Sequence, residues 1–165
     1  MKRALAVFAV VCGTLVATGC YHLNGGGLPA DIKSVAIIPF DNETASPELQ
    51  HELNEALRGS FASKLGLREA AEDKASAVVR GKIVSYDLDV ATAFSANPAQ
   101  ATSSRRQLKV SVHVEIFDTI HNKVLGQPME LSATGDYPEG GEASGRKQAI
   151  AKIVSDIIQG AQSNW

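Results

Sequence analysis

Gln107-Leu108-Lys109-Val110-Ser111-Val112-His113-Val114-Glu115-Ile116-Phe117 is the stretch that decides the architecture. Leu108, Val110, Val112, Val114 and Ile116 alternate with Gln107, Lys109, Ser111, His113 and Glu115. A period of two sends successive side chains to opposite faces of a strand, so this segment has one buried and one wet face. A sheet with one apolar face needs one covering layer, and the rest of the chain must supply it.

The flanking segments read as further strands. Upstream, Ala77 to Phe94 (AVVRGKIVSYDLDVATAF) predicts a long strand whose alternation slips near Tyr86. Ser95 to Ser104, small and polar with Asn97-Pro98 inside, predicts a hairpin tip. Downstream, Asp118 to Asn122 is a turn and Lys123 to Gly135 a returning strand. Near the start, Ile32 to Phe40 (IKSVAIIPF) is a β-branched run bounded by Pro39, which predicts a buried strand. Leu67 to Ala75 reads as a short edge strand followed by a charged turn.

Two helices supply the cover. Ser46-Pro47-Glu48 suits a helix start, with Ser46 as N-cap, Pro47 at the first helical position and Glu48 at the positive end of the dipole. Leu49, Leu53, Leu57, Phe61 and Leu65 then form one apolar stripe, and Gly66 is placed to end it. After a Pro/Gly-rich loop from Tyr137 to Gly145, a second helix runs from about Ser144 to Gly160 with Ile150, Ile153, Val154, Ile157 and Ile158 on one face. The order β-α-β-β-β-α predicts an α+β fold: a two-layer sandwich of about four mostly antiparallel strands with both helices packed on one face. The sheet's second face is expected to carry Arg80, Lys82, Lys109, His113 and Glu115.

The N-terminus has another purpose. Met1-Lys2-Arg3 is basic, and Ala4 to Val16 is uncharged and apolar but short for a membrane span. This is the grammar of an export signal. It ends in Ala17-Thr18-Gly19-Cys20, small residues before a cysteine, which resembles a lipobox with Ala17 in the place usually held by Leu. The expected organisation is therefore a signal peptide over residues 1–19, a lipidated Cys20 with a flexible tether over residues 20–31, and one domain over residues 32–165. The tether contains Gly25-Gly26-Gly27, which cannot be expected to hold one conformation. Tyr21 is not the Asp that retains lipoproteins in the inner membrane of enteric bacteria, so the expected site is the outer membrane, facing the periplasm. Cleavage would leave 146 of the 165 residues. Lys2 and Arg3 would go, so the 16 basic residues fall to 14 against 18 acidic ones, a net charge of −4 rather than −2. Cys12 leaves with the signal and Cys20 is acylated, so neither a cysteine nucleophile nor a disulfide is expected.

The search for chemistry finds no catalytic constellation. His22, His51, His113 and His121 form no HxxxH or HxH pair, so no metal site is expected. No GxSxG elbow, P-loop or GxGxxG is present, and no cofactor is implied. Asp87 and Asp89 share a strand face if the alternation is regular, which is more simply a solvated face than a carboxylate pair. The acidic balance excludes a basic nucleic-acid binder. Arg105-Arg106 closes the hairpin tip and Arg146-Lys147 opens the last helix. Cations at a helix start oppose the dipole, so the second pair is not there for helix stability. These four residues are the candidates for an anion site such as lipid phosphates. The expectation is a binding or structural protein, not an enzyme.

Cys20-Tyr21-His22-Leu23, Leu28-Pro29, Ile32-Lys33-Ser34-Val35-Ala36-Ile37-Ile38-Pro39-Phe40, Asn42-Glu43-Thr44 and Ser46-Pro47-Glu48-Leu49 resemble the LptE family of lipopolysaccharide-assembly lipoproteins. Val79-Arg80-Gly81-Lys82-Ile83, entering a long strand, is similar too. The family often has a residue between the Cys and the aromatic-His-Leu that is absent here. The resemblance implies a small sheet with two helices, sitting largely inside the lumen of the LptD β-barrel as plug and assembly factor and binding lipopolysaccharide non-catalytically. It implies basic contacts to the ligand in loop regions but assigns none residue by residue; Arg105, Arg106, Arg146 and Lys147 are candidates by charge and location. Val35-Ala36-Ile37-Ile38-Pro39-Phe40-Asp41-Asn42 also looks like the first strand of LpoB- and CsgG-type lipoproteins, which bind a peptidoglycan synthase or oligomerise.

Overall fold

The computed structural model describes residues 28–88 and 105–163. In chain order these form β1 (Ser34–Ile37), β2 (Asp41–Asn42), α1 (Glu48–Leu65), β3 (Arg68–Glu69), a 3-10 turn (Glu72–Lys74), β4 (Ala77–Asp87), β5 (Arg105–Asp118), β6 (Lys123–Val124), β7 (Met129–Pro138) and α2 (Glu142–Ser163). The export segment, Cys20, Asp89 and the 95–104 hairpin tip lie outside the described residues.

β5 organises the sheet. Leu108, Val110, Val112, Val114 and Ile116 are all at most 2% exposed, as the alternation requires. β4 pairs with β5 on one side; β7 and the short β6 pair with it on the other, all antiparallel. Met129 to Pro138 mates with Val114 back to Arg105 without a break in register. The slip near Tyr86 is a β-bulge between Ile83 and Ser85. It moves the inward position from Ile83 to Tyr86, which packs against the core while Val84 is left 45% exposed.

The other half of the sheet departs from the expected antiparallel pattern. β1 pairs parallel with β4 and with β3, and β2 pairs parallel with β4. α1 is the reason: a helix joining two neighbouring strands returns the chain to the same end, so the strands it connects run in the same direction. The strand count also rises from about four to seven among the described residues, because three two-residue strands join. The first expected strand stops at Ile37, before Pro39, and β2 lies beyond its expected end at Phe40; the segment at Leu125–Pro128, with Gly126 in the left-handed region, divides the last expected strand into β6 and β7.

Both helices lie on the buried face. Leu49, Leu53, Leu57 and Phe61 of α1 are at most 1% exposed, and Ile150, Ile153, Val154, Ile157 and Ile158 of α2 at most 4%. Each such side chain contributes about 1.5–3 kcal/mol on burial. Pro47 already has helical angles, and the Ser46 carbonyl, rather than its hydroxyl, accepts the Leu49 N–H at 3.3 Å. Gly66 closes α1 at φ 66 with its N–H on the Phe61 carbonyl, the left-handed cap that glycine adopts without steric cost. α2 comes unusually close to β7: a Cβ on Gly135 would collide with the carbonyl of Gly145. α2 starts at Glu142, two residues before the expected Ser144, directly after the loop following Pro138.

The outer face is less uniformly wet than the alternation predicts. Ala36, Ala75 and Val78 form a small second cluster there, with Ile38, Ala70 and Phe117 packed on it. No helix among the described residues is long and apolar enough to cross a membrane.

Candidate functional site

The sheet has two ends of different character. At one, the start of β1 lies with the start of β4 and the end of β5. At the other, the end of β4 and the start of β5 meet the β7–α2 loop. β5 spans 14 residues, so about 45 Å separates the two ends.

The second end gathers the basic residues expected from sequence. Arg105 pairs in register with Pro138 and Arg106 with Tyr137. Arg106 Nη2 donates to Glu139 at 3.3 Å. The Pro138 carbonyl accepts the Gly141 N–H, and α2 begins one residue later. Arg146 and Lys147 therefore stand one turn into a helix whose root is beside Arg105 and Arg106. Lys147 is exposed.

Arg146 differs from Arg106 and Lys147. Its side chain is only 13% exposed and sits between two carboxylates: Nε and Nη2 donate to Glu52 at 3.3 and 3.0 Å, and Nη1 donates to Glu142 at 3.2 Å. The Tyr86 hydroxyl donates to the same Glu142 oxygen. The Glu52 hydrogen bond chiefly, against the opposing effect of burial, holds the guanidinium even more firmly protonated than usual. Burial first, and then the Glu142 bond, push the Tyr86 hydroxyl up. Four side chains thus tie α1, β4 and α2 together at this end. The Glu142–Arg146 pair is a helical i, i+4 spacing readable in sequence. Glu52, 94 positions away, has no local signal.

On the outer face the charges are largely matched. Arg80 donates to Glu115 and lies 5.4 Å from the Phe117 ring centroid, and Lys82 donates to Glu43 at 3.1 Å. A shallow groove of about 720 Å³ runs over Lys82, Val84, Ser111, His113, Glu130 and Ser132. Asp87 is exposed and accepts the Ser85 hydroxyl. At the opposite end, Asp118 is fully buried. Burial alone would raise its carboxyl, but the N–H groups of His121 and Ile120 and the His121 ring outweigh that and hold it below the usual range. The His121 Nε2 lies 3.5 Å from Asp31. Among the described residues no group of three or more His, Cys, Asp or Glu is placed to hold a metal.

This arrangement has relatives of known structure. The hypothetical protein CT253 from Chlamydia trachomatis superposes with a TM-score of 0.56 at 15% identity, covering 80% of this chain and 96% of that one. The PelC dodecamer from Paraburkholderia phytofirmans gives 0.52 at 16% identity, covering 85% of this chain and 95% of that one. An uncharacterized lipoprotein B from Nitrosomonas europaea gives 0.50 at 15% identity, covering 84% and 86%. At such identities the likeness establishes the fold alone. No curated protein matches the chain. The family model for LptE, described as lipopolysaccharide-assembly, matches residues 32–160. That span runs from the root of β1 into the last turn of α2, and on it the chain belongs to the LptE lipopolysaccharide-assembly family.

Proposed function

We propose that this protein is an outer-membrane lipoprotein that acts as plug and assembly partner of an LptD-like β-barrel and binds lipopolysaccharide without catalysing a reaction. The family match over residues 32–160 carries this reading. Membership of an assembly family also fits a protein that is not an enzyme. In this proposal Cys20 is acylated and holds the domain on the periplasmic side of the outer membrane; two or more acyl chains anchor stably where one is marginal. The domain's polar outer face and loop tips meet the barrel lumen.

The lipid phosphates are assigned to the basic end of the sheet. Arg105, Arg106 and Lys147 supply charge-assisted hydrogen bonds. Arg146, already engaged by Glu52 and Glu142, contributes by fixing where α2 begins and thus where Lys147 stands. The start of β1, where the domain begins, lies about 45 Å along β5 from these residues, a separation that would let one end stay at the inner leaflet while the other reaches along the barrel.

Depletion in the native host tests the reading. Loss of barrel assembly and of surface lipopolysaccharide is expected; unchanged levels of both would overturn it. For the site, Arg105→Ala/Arg106→Ala and Lys147→Ala should each weaken lipopolysaccharide binding while leaving urea stability within about 0.5 kcal/mol, as surface substitutions do. Undiminished binding would move the site elsewhere.

A further inference from the structure

The guanidinium of Arg146 is filled unequally by its two partners. Nε and Nη2 donate to the two oxygens of Glu52, a parallel two-bond pair. Nη1 is what remains, and Glu142 holds it with a single bond to Oε1. The Tyr86 hydroxyl donates to that same Oε1. Two donors from different elements, β4 and α2, therefore converge on one point. The group standing there is the more exposed of the two carboxylates.

Glu142 is also the easier of the two to move. It is the first residue of α2, so a carboxylate swung outward stays at the positive end of the helix dipole and keeps that part of its stabilisation. Arg146 would remain on Glu52, with Nη1 and the Tyr86 hydroxyl still aimed at one place. Arg106 lies on the same, helix-covered face of β5, one inward position beyond Leu108. α2 comes closest there: a Cβ on Gly145 would stand 3.0 Å from Leu108 Cδ2. Arg106 donates to Glu139, three residues before Glu142.

We propose that Glu142 occupies the seat of a ligand phosphate oxygen and works as a charge filter, admitting phosphomonoesters and turning away phosphodiesters. This rests on the reading that the basic end of the sheet takes lipid phosphates, and adds what that end distinguishes. A phosphomonoester carries a charge of about −1.5 to −2 at pH 7 and three acceptor oxygens. Exchanged for one carboxylate, it gains charge and bonds at Nη1, at the Tyr86 hydroxyl and toward Arg106. A phosphodiester carries a single charge, the same as Glu142, so the exchange gains nothing at this point. In both cases the displaced carboxylate stays nearby and repels, and only the monoester gains enough to offset that. Selectivity through a group that repels the wrong ligand suits a protein held at a membrane, where ordinary phospholipids are diesters in excess.

Native mass spectrometry of the detergent-solubilised full chain tests this. The chain is titrated with dioleoyl phosphatidic acid, a monoester, or dioleoyl phosphatidylglycerol, a diester, and the bound lipid is counted. The unsubstituted chain should prefer phosphatidic acid about tenfold. Glu142→Gln should tighten phosphatidylglycerol about tenfold and phosphatidic acid about twofold, so the preference falls to about twofold. Asp156→Asn, which removes the same charge elsewhere on α2, should leave the preference in place. Tyr86→Phe should weaken phosphatidic acid about fivefold and phosphatidylglycerol less than twofold, because the diester does not displace Glu142 to reach the hydroxyl. Equal effects of Glu142→Gln and Asp156→Asn, or no preference in the unsubstituted chain, would overturn the proposal. Lipopolysaccharide in the same assay separates the two readings. If it binds and no monoester preference exists, the filter alone is refuted. If the preference depends on Glu142 and lipopolysaccharide does not bind, the filter stands and the lipid source is refuted.

Discussion

Arg146→Ala removes the one cation from a cluster that also holds Glu52, Glu142 and Tyr86. The side chains are 13% exposed for Arg146, 24% for Glu52 and 39% for Glu142. Truncating one member of a fully buried ion pair costs about 3–5 kcal/mol, and fully exposed pairs are worth about 0.2–1 kcal/mol. Arg146 lies nearer the first limit and its partners between the two, so the substitution should cost about 2 kcal/mol. The geometry also ranks the partners. Glu52 receives two donors from Arg146 and is the less exposed, so its coupling to Arg146 in a double-mutant cycle should be about 1–1.5 kcal/mol; Glu142, with one donor from Arg146, should couple at about 0.5 kcal/mol. Urea unfolding followed by far-UV circular dichroism measures each corner. A coupling to Glu52 below about 0.3 kcal/mol, or a ranking reversed in favour of Glu142, would refute the claim that this arginine joins α1 to α2.

Two glycines should respond in opposite directions. Gly135→Ala forces a Cβ into the Gly145 carbonyl and should cost at least about 3 kcal/mol, whereas Gly59→Ala, in the exposed interior of α1 with nothing near its Cβ, should stabilise by about 0.5–1 kcal/mol; thermal unfolding of both decides. Asp118 has a folded-state pKa below its unfolded value of about 3.9, so its contribution is present above that pH and is lost as pH falls through the folded pKa. Asp118→Asn should therefore lower the melting temperature at pH 7, with the gap closing below about pH 4; a gap independent of pH would show that the charge is not what matters.

What could be read from the sequence is what local spacing encodes. The alternation in β5, the four-residue stripe of α1 and the left-handed cap at Gly66 each depend on residues within a turn or two of one another, and each is present. The slip near Tyr86 was legible for the same reason: a bulge shifts the parity of a strand. Strand direction was not, since the parallel pairing of β1 with β4 joins segments about 40 positions apart. The division of β6 from β7 was hidden because Leu125 and Val124 continue an apolar pattern through the turn at Gly126. At the candidate site, the basic residues were found by charge, but charge alone could not distinguish Arg146 from Lys147. Their difference lies in Glu52, which only the packing of the two helices brings to Arg146.

The most direct measurement is affinity purification of the full chain from outer membranes of its native host, with the co-purifying proteins identified by mass. The account predicts an LptD-like β-barrel in near-equal amount, with lipopolysaccharide in the eluate. A peptidoglycan synthase in its place, with no barrel, would contradict it.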